Sequence, residues 1–230
     1  MTFRMLLALP LLTVVPLGAQ HFEGAIGVRM SVPKSDDISA VMLVKGERVA
    51  MTMTMPASAG PMAGQEARMI FEPESKSMTM LMPMPAGMPA MGGAKGMKMV
   101  MKLDDLPKDD AERVANSELT TLGTSQVVAA MKCDDYELTT KGEKPTRMCL
   151  TSGMGRFVFP SMSGRGSGEP AWALKIREKG LFPLKVWTTD GKAQMEVTSI
   201  ARKPVPASTF EIPAGYMDAS AMMGGMGRRP

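Results

Sequence analysis

Short runs in which apolar and polar residues alternate, each ended by a turn signal, follow one another from Phe22 to Arg202. A period of two is the period of a strand, whose successive side chains point to opposite faces of a sheet. Phe22 to Met30 reads as the first strand. Ile38 to Lys45 and Arg48 to Met55 flank Gly46-Glu47, the signature of a tight hairpin. Ala67 to Phe71 and Ser77 to Met84 flank Glu72-Pro73-Glu74-Ser75, and Met97 to Leu103 alternates again. Gln126 to Met131, Cys133 to Thr140 and Thr146 to Thr151 continue the pattern, with a turn at Lys141 to Pro145. Leu181 to Thr189 and Lys192 to Arg202 bracket Asp190-Gly191, a second strong hairpin signal. Only Pro107 to Ala115 and, more weakly, Ala171 to Lys179 read as helices. Many strands at short spacing with few helices predict a mainly β domain whose antiparallel sheet curves or closes. Pro85 to Gly96 and Gly153 to Gly168 read as loops, the latter carrying Phe157-Val158-Phe159.

The N-terminus carries a different signal. Arg4 precedes an apolar run, Met5 to Leu17, and small residues follow at Gly18 and Ala19. That is the layout of a secretory signal peptide, so cleavage after Ala19 and a periplasmic or secreted protein are expected. Two prolines break the run as a helix, and it is shorter than the ~20 apolar residues that span a bilayer. No later run reads as a transmembrane segment. The expected organisation is a signal peptide at 1–19, one domain at 20–217, long enough for a sizeable core, and a disordered Gly- and Met-rich tail at 218–230. Cys133 and Cys149 could in principle ligate a metal, but no histidine lies beside them, and in an oxidising compartment a disulfide is expected. The turn at Lys141 to Pro145 lies nearly midway between them, which predicts a bridge across a hairpin.

Several segments carry a family resemblance. Phe22-Glu23-Gly24 and Val44-Lys45-Gly46-Glu47-Arg48-Val49 open the chain, and Val127 to Tyr136 follows with Cys133 and Tyr136 at its end. Phe182-Pro183-Leu184-Lys185, Glu196 to Ile200 and Phe210-Glu211-Ile212-Pro213-Ala214-Gly215-Tyr216 close it. Together they resemble the exported domain-of-unknown-function family 4412, similar in layout to periplasmic lipoprotein carriers of the LolA and LolB type. The resemblance implies a strongly curved antiparallel half-barrel with a few short helices across its open side. Ala130 stands where the family pattern has glycine, and Cys149 where it has tryptophan. The family has no established activity, so the resemblance implies a fold and no reaction.

The chemistry of catalysis is sparse. His21 is the only histidine, which leaves no Ser-His-Asp or Cys-His arrangement. The doublets Asp36-Asp37, Asp104-Asp105, Asp109-Asp110 and Asp134-Asp135 put neighbouring carboxylates on opposite faces of a strand, so none is a catalytic pair by itself. No cofactor is implied, and without a basic stripe interleaved with aromatics neither is nucleic acid. A non-enzymatic protein is expected.

Methionine is the unusual residue, 27 of 230. Met51, Met53 and Met55 alternate, as do Met78, Met80, Met82 and Met84, then Met97, Met99 and Met101. Each set shares one strand face, and the intervening Thr52, Thr54, Thr79, Lys98 and Lys102 belong toward solvent. These methionines could form an ordinary core in place of Leu, Ile and Val. They could instead make a deformable face for an apolar ligand, such as a lipid or a lipoprotein acyl chain. As a third reading, their thioethers could bind copper or scavenge oxidants, helped by Met222, Met223 and Met226. An envelope assembly factor without a small ligand is the remaining alternative.

Overall fold

A computed structural model describes residues 22–31, 37–75, 77–84, 93–102, 112, 114–155, 157 and 171–219. Twelve strands make one sheet: β1 Glu23–Met30, β2 Ile38–Lys45, β3 Arg48–Thr54, β4 Glu66–Glu72, β5 Ser77–Pro83, β6 Gly96–Lys102, β7 Ser117–Val128, β8 Met131–Thr140, β9 Thr146–Thr151, β10 Phe182–Thr188, β11 Ala193–Arg202 and β12 Tyr216–Asp218. Their order across the sheet is β12-β6-β5-β4-β3-β2-β1-β11-β10-β9-β8-β7, so consecutive hairpins run outward in both directions from β1 and β11. The sheet does not close, and its edges are β12 and β7.

Curvature follows from burial. Laid flat, twelve strands would span roughly 50 Å, far more than one short helix can cover. Yet inward residues from β1 to β5 and from β8 to β11 all join one apolar core, including Ile26, Met42, Met80, Leu138, Leu184 and Val197. The sheet must therefore curl about that face. The helix α1, Ala171–Glu178, packs on β10 and β7, and its Trp172, Ala173 and Ile176 enter the core. Phe157 is buried between Trp172 and Phe182, its ring centre 5.7 and 5.5 Å from theirs. Lys175 donates to the Val114 carbonyl, tying α1 to the turn before β7.

The outer face is covered in part as well. Ala50, Ile70, Leu81, Val205 and Phe210 form a second apolar cluster with Leu43 and Tyr216 against it. The segment after β11 thus crosses the back of the strands β3 to β5. Basic side chains on those strands and on β2 hold it: Lys45 donates to the Val205 carbonyl, Arg48 to that of Phe210 and Arg68 to that of Thr209.

Four expectations are corrected. The sheet is not wholly antiparallel, because β12 runs parallel to β6 with Tyr216 opposite Gly96. That pairing brings Asp218 into the sheet and buries Ala219, so order extends past the expected boundary at 217. The strand expected at Gln126 to Met131 begins far earlier, at Ser117, and breaks at a two-residue turn, Ala129-Ala130, because those alanines adopt positive φ of 48° and 63°. Thr79 points outward as expected but is buried, because the outer face there is covered.

Only α1 among the described residues is a full α-helix. Glu112, Val114 and Ala115 are helical, and the rest of the expected helix at 107–115, apart from those, lies outside the described residues. So do residues 1–19, where a signal peptide is expected, residues 85–92 and 158–168 of the expected loops and residues 220–230 of the expected tail.

The first family motif has a steric cause. A β-carbon on Gly24 would collide with the Ala201 carbonyl oxygen of the neighbouring β11 and with the Phe22 ring, so only glycine lets β1 and β11 pair closely here.

Candidate functional site

Strands β5 and β6 put a methionine at each of their inward positions. Register pairs them directly: Met78 opposite Met101, Met80 opposite Met99, Met82 opposite Met97. The central pair continues across the sheet, since Met80 faces Met69 on β4, Met69 faces Met51 on β3 and Met51 faces Met42 on β2. A row of five methionines therefore crosses five adjacent strands. Met53 lies beside it between Ala40 and Ala67, and half-buried Met55 lies just past the end of β3.

The row has a depth gradient. Met42 is 0% exposed, Met51 and Met69 3% and Met80 6%, whereas Met99, Met82, Met97 and Met101 are only half-buried. Of the nine methionines expected on one face, eight pack in or against the main core, and Met97 stands opposite Met82 in the register of β5 and β6. Met42 and Met69 join them unforeseen. Each is a single methionine in an aliphatic stretch, and in β4 the neighbouring Ile70 is buried on the other face, which erases the apolar-polar contrast that marks an inward position.

Methionine does not fill the whole core in this way. Inward positions of β1, β10 and β11 include Ile26, Val28, Leu184, Val186 and Val197, among which Met30 and Met195 make one opposed pair, and Met148 lies on β9. A gap that holds about one water lies between Val49, Met51, Met69, Phe71 and Met78, and its apolar walls favour leaving it dry. All inward positions of β3 to β6 are apolar. The charges of these strands lie outward, where Arg48 pairs with Glu72 at 2.6 Å and Lys98 with Asp218 at 3.8 Å.

Cys133 and Cys149 are joined in a disulfide between β8 and β9, with α-carbons 5.3 Å apart, as expected from their spacing about one turn. This places the bridge near the β7 edge, with six strands between β9 and β5 in the order of the sheet.

No group of three His, Cys, Asp or Glu residues is assembled for a metal among the described residues. Asp135 accepts hydrogen bonds from Thr124 at 2.8 Å and Gln126 at 2.7 Å, and Asp37 accepts one from Ser31 at 2.8 Å. Asp104, Asp105, Asp109 and Asp110 lie outside the described residues. Two carboxyls are held below the usual carboxylate range. Glu23 is lowered by the Val205 backbone N–H and by Lys45, and Asp190 by the Thr188 hydroxyl and the Lys192 backbone N–H. Both stabilise local turns and segments, and neither adjoins the methionines.

One family model matches residues 22–216, from the Phe-Glu-Gly opening through the tyrosine that enters β12. The chain belongs to the family Domain of unknown function (DUF4412). Two solved structures, described as PNGF-II in P21 and in C2 space groups, are similar to this DUF4412 chain with TM-scores of 0.45 and 0.47 at 11% and 9% identity. They cover 90% and 89% of this chain but only 34% and 32% of their own, so the chain spans about a third of their length. No curated protein matches it. The closing motif of DUF4412 has a physical role in this chain: Phe210 fills the outer cluster, Gly215 turns with φ of 92°, and Tyr216 starts β12.

Proposed function

We propose that this DUF4412 chain is an exported, non-enzymatic binding protein that holds an apolar ligand, such as an acyl chain, against the methionines of β5 and β6. One observation carries the reading. The six inward positions of these two strands are all methionine, and four of them remain half-buried. Methionine has three rotatable bonds and a polarisable sulfur, so a methionine surface reshapes around varied apolar partners where Leu or Ile would fix one shape. Completing the burial of such a side chain contributes up to roughly 1.5–3 kcal/mol. Export rests on the charged, apolar and small-residue order of the first nineteen residues, and N-terminal sequencing of protein from cell fractions tests it. A chain starting at Gln20 in the periplasm or medium is the expected result, and intact Met1 in the cytosol would refute export.

Titration of the purified protein with a fluorescent fatty-acid analogue tests the ligand reading. Saturable binding that weakens at least tenfold in Met97→Asp and Met99→Asp variants is expected, since a charge at a half-buried apolar contact loses about 1.4 kcal/mol or more. Folded protein that gives no saturable signal would end the proposal.

A further inference from the structure

We infer that Met80, Met82, Met97 and Met99 also form a binding site for a soft monovalent cation, Cu(I). The inference goes beyond apolar-ligand binding and does not depend on it. Four methionines lie here as two adjacent cross-strand pairs, Met80 with Met99 and Met82 with Met97. Directly opposed residues have β-carbons about 4.5–5.5 Å apart, and neighbouring same-face positions on a strand are about 6–7 Å apart. Methionine side chains are long and flexible enough to turn four such sulfurs toward one point.

Ligand chemistry fixes the class of ion. A thioether is a neutral, soft donor that selects Cu(I), and it competes poorly for Mg(II), Ca(II) or Zn(II), which want oxygen, nitrogen or thiolate ligands. The inward face of β3 to β6 offers no such ligand: its positions are all apolar, and both cysteines are held in the disulfide between β8 and β9. A neutral ligand set also suits a single positive charge better than a double one.

The depth gradient places the ion. Transferring a cation into a dry interior is very costly, which disfavours the fully buried Met42 and Met51 end of the row. At the β5–β6 end Met82, Met97 and Met99 are half-buried, so an ion held there keeps access to solvent while Met80 supports it from below. Directly opposed methionine pairs fill every inward position of β5 and β6, whereas elsewhere such pairs, Met42 with Met51, Met51 with Met69 and Met30 with Met195, sit among Ile, Val, Ala and Phe; that concentration is what sulfur chemistry predicts and what general apolar packing does not require.

The test exploits the difference between sulfur and hydrophobicity. Leucine nearly conserves the volume and apolarity of methionine but removes the ligand atom. Anaerobic competition against a chromogenic Cu(I) chelator should show the wild-type chain taking one Cu(I). A Met80→Leu/Met82→Leu/Met97→Leu/Met99→Leu variant should lose at least about 100-fold in affinity, while its circular dichroism and urea unfolding midpoint match wild type. A milder Met97→Leu/Met99→Leu pair, on the half-buried strand, should show an intermediate loss and serves if the quadruple variant folds poorly. Met148→Leu/Met195→Leu, which removes sulfurs elsewhere in the core, should bind as wild type does. Failure of the wild type to take Cu(I), undiminished binding in the variants, or equal competition by Zn(II) would each overturn the site. The chelator competition contains no fatty acid and the fatty-acid titration of the wild type contains no copper, so the failure of either reading is seen apart from the other.

Discussion

Ala129 and Ala130 form the whole of the turn between β7 and β8, with Val128 opposite Met131 on either side. Both take positive φ, where the β-carbon of an L-residue crowds the backbone, at about 1 kcal/mol or more per residue. Two-residue hairpins demand this conformation, and Asn-Gly or Asp-Gly normally supply it. Alanine gives no such signal, so the sequence reads through the turn as strand. The family resemblance marks the spot in another way, because Ala130 stands where the pattern has glycine. An Ala130→Gly variant should therefore be more stable by about 0.5–1 kcal/mol, the relief of strain exceeding the added freedom of the unfolded chain. Urea unfolding with the disulfide intact measures it. An unchanged or lower midpoint would mean that the alanines are not strained there.

Among the elements, the strands were legible and the segment that backs them was not. Alternation locates β1 to β6 and β8 to β11 within a residue or two, because one face of each is buried and apolar while most polar residues fall on the other. Residues Lys203 to Tyr216 have no period, since they lie along the sheet as an irregular strap fixed by Phe210 and by donors from other strands. That is why Thr79 reads as solvent-facing from its strand alone. The ring of Phe210 is buried with the Arg48 guanidinium 4.7 Å above it, so Phe210→Ala should cost about 3–5 kcal/mol in denaturant unfolding, with a loss under 1 kcal/mol contradicting an anchoring role. At the other end of the strap, Glu23 accepts the Val205 N–H at 2.7 Å and pairs with Lys45 at 3.1 Å. Its folded pKa is depressed, so its contribution is complete above the unfolded carboxyl value and is lost as pH falls through the folded one. Amide exchange at Val205, corrected for its intrinsic pH dependence, should show protection falling in that acid window. A Glu23→Gln variant should show no such fall, and identical profiles for the two would exclude the carboxylate as the anchor.

At the scale of the molecule, the order of the strands could not be read from the chain. The pairing of β1 with β11 joins residues far apart in sequence and brings the N-terminal and C-terminal hairpin series into one sheet. Local alternation carries no information about such a partner, and the parallel docking of β12 on β6 is equally silent. The same pairing determines how the two ends communicate. The disulfide lies on β8 and β9 and the methionine array on β5 and β6, with β10, β11, β1, β2, β3 and β4 between them. If this is a single cooperative unit, opening the bridge should lower the stability of the whole and leave the array locally intact. In the chain-entropy account a loop of this length contributes roughly 3 kcal/mol, which for a chain of this size shifts the melting midpoint by about 6–12 °C. A Cys133→Ala/Cys149→Ala variant should melt in one transition at the lower midpoint by both circular dichroism and tryptophan fluorescence. Trp172 and Trp187 report on the β10 end, and ligand or Cu(I) affinity measured well below that midpoint reports on the β5–β6 end. Unchanged affinity with a single shifted transition is the expected result. Two separated transitions would show that the β1–β11 seam divides the sheet into independent halves, and altered affinity in the folded variant would mean that the bridge shapes the methionine face across the sheet.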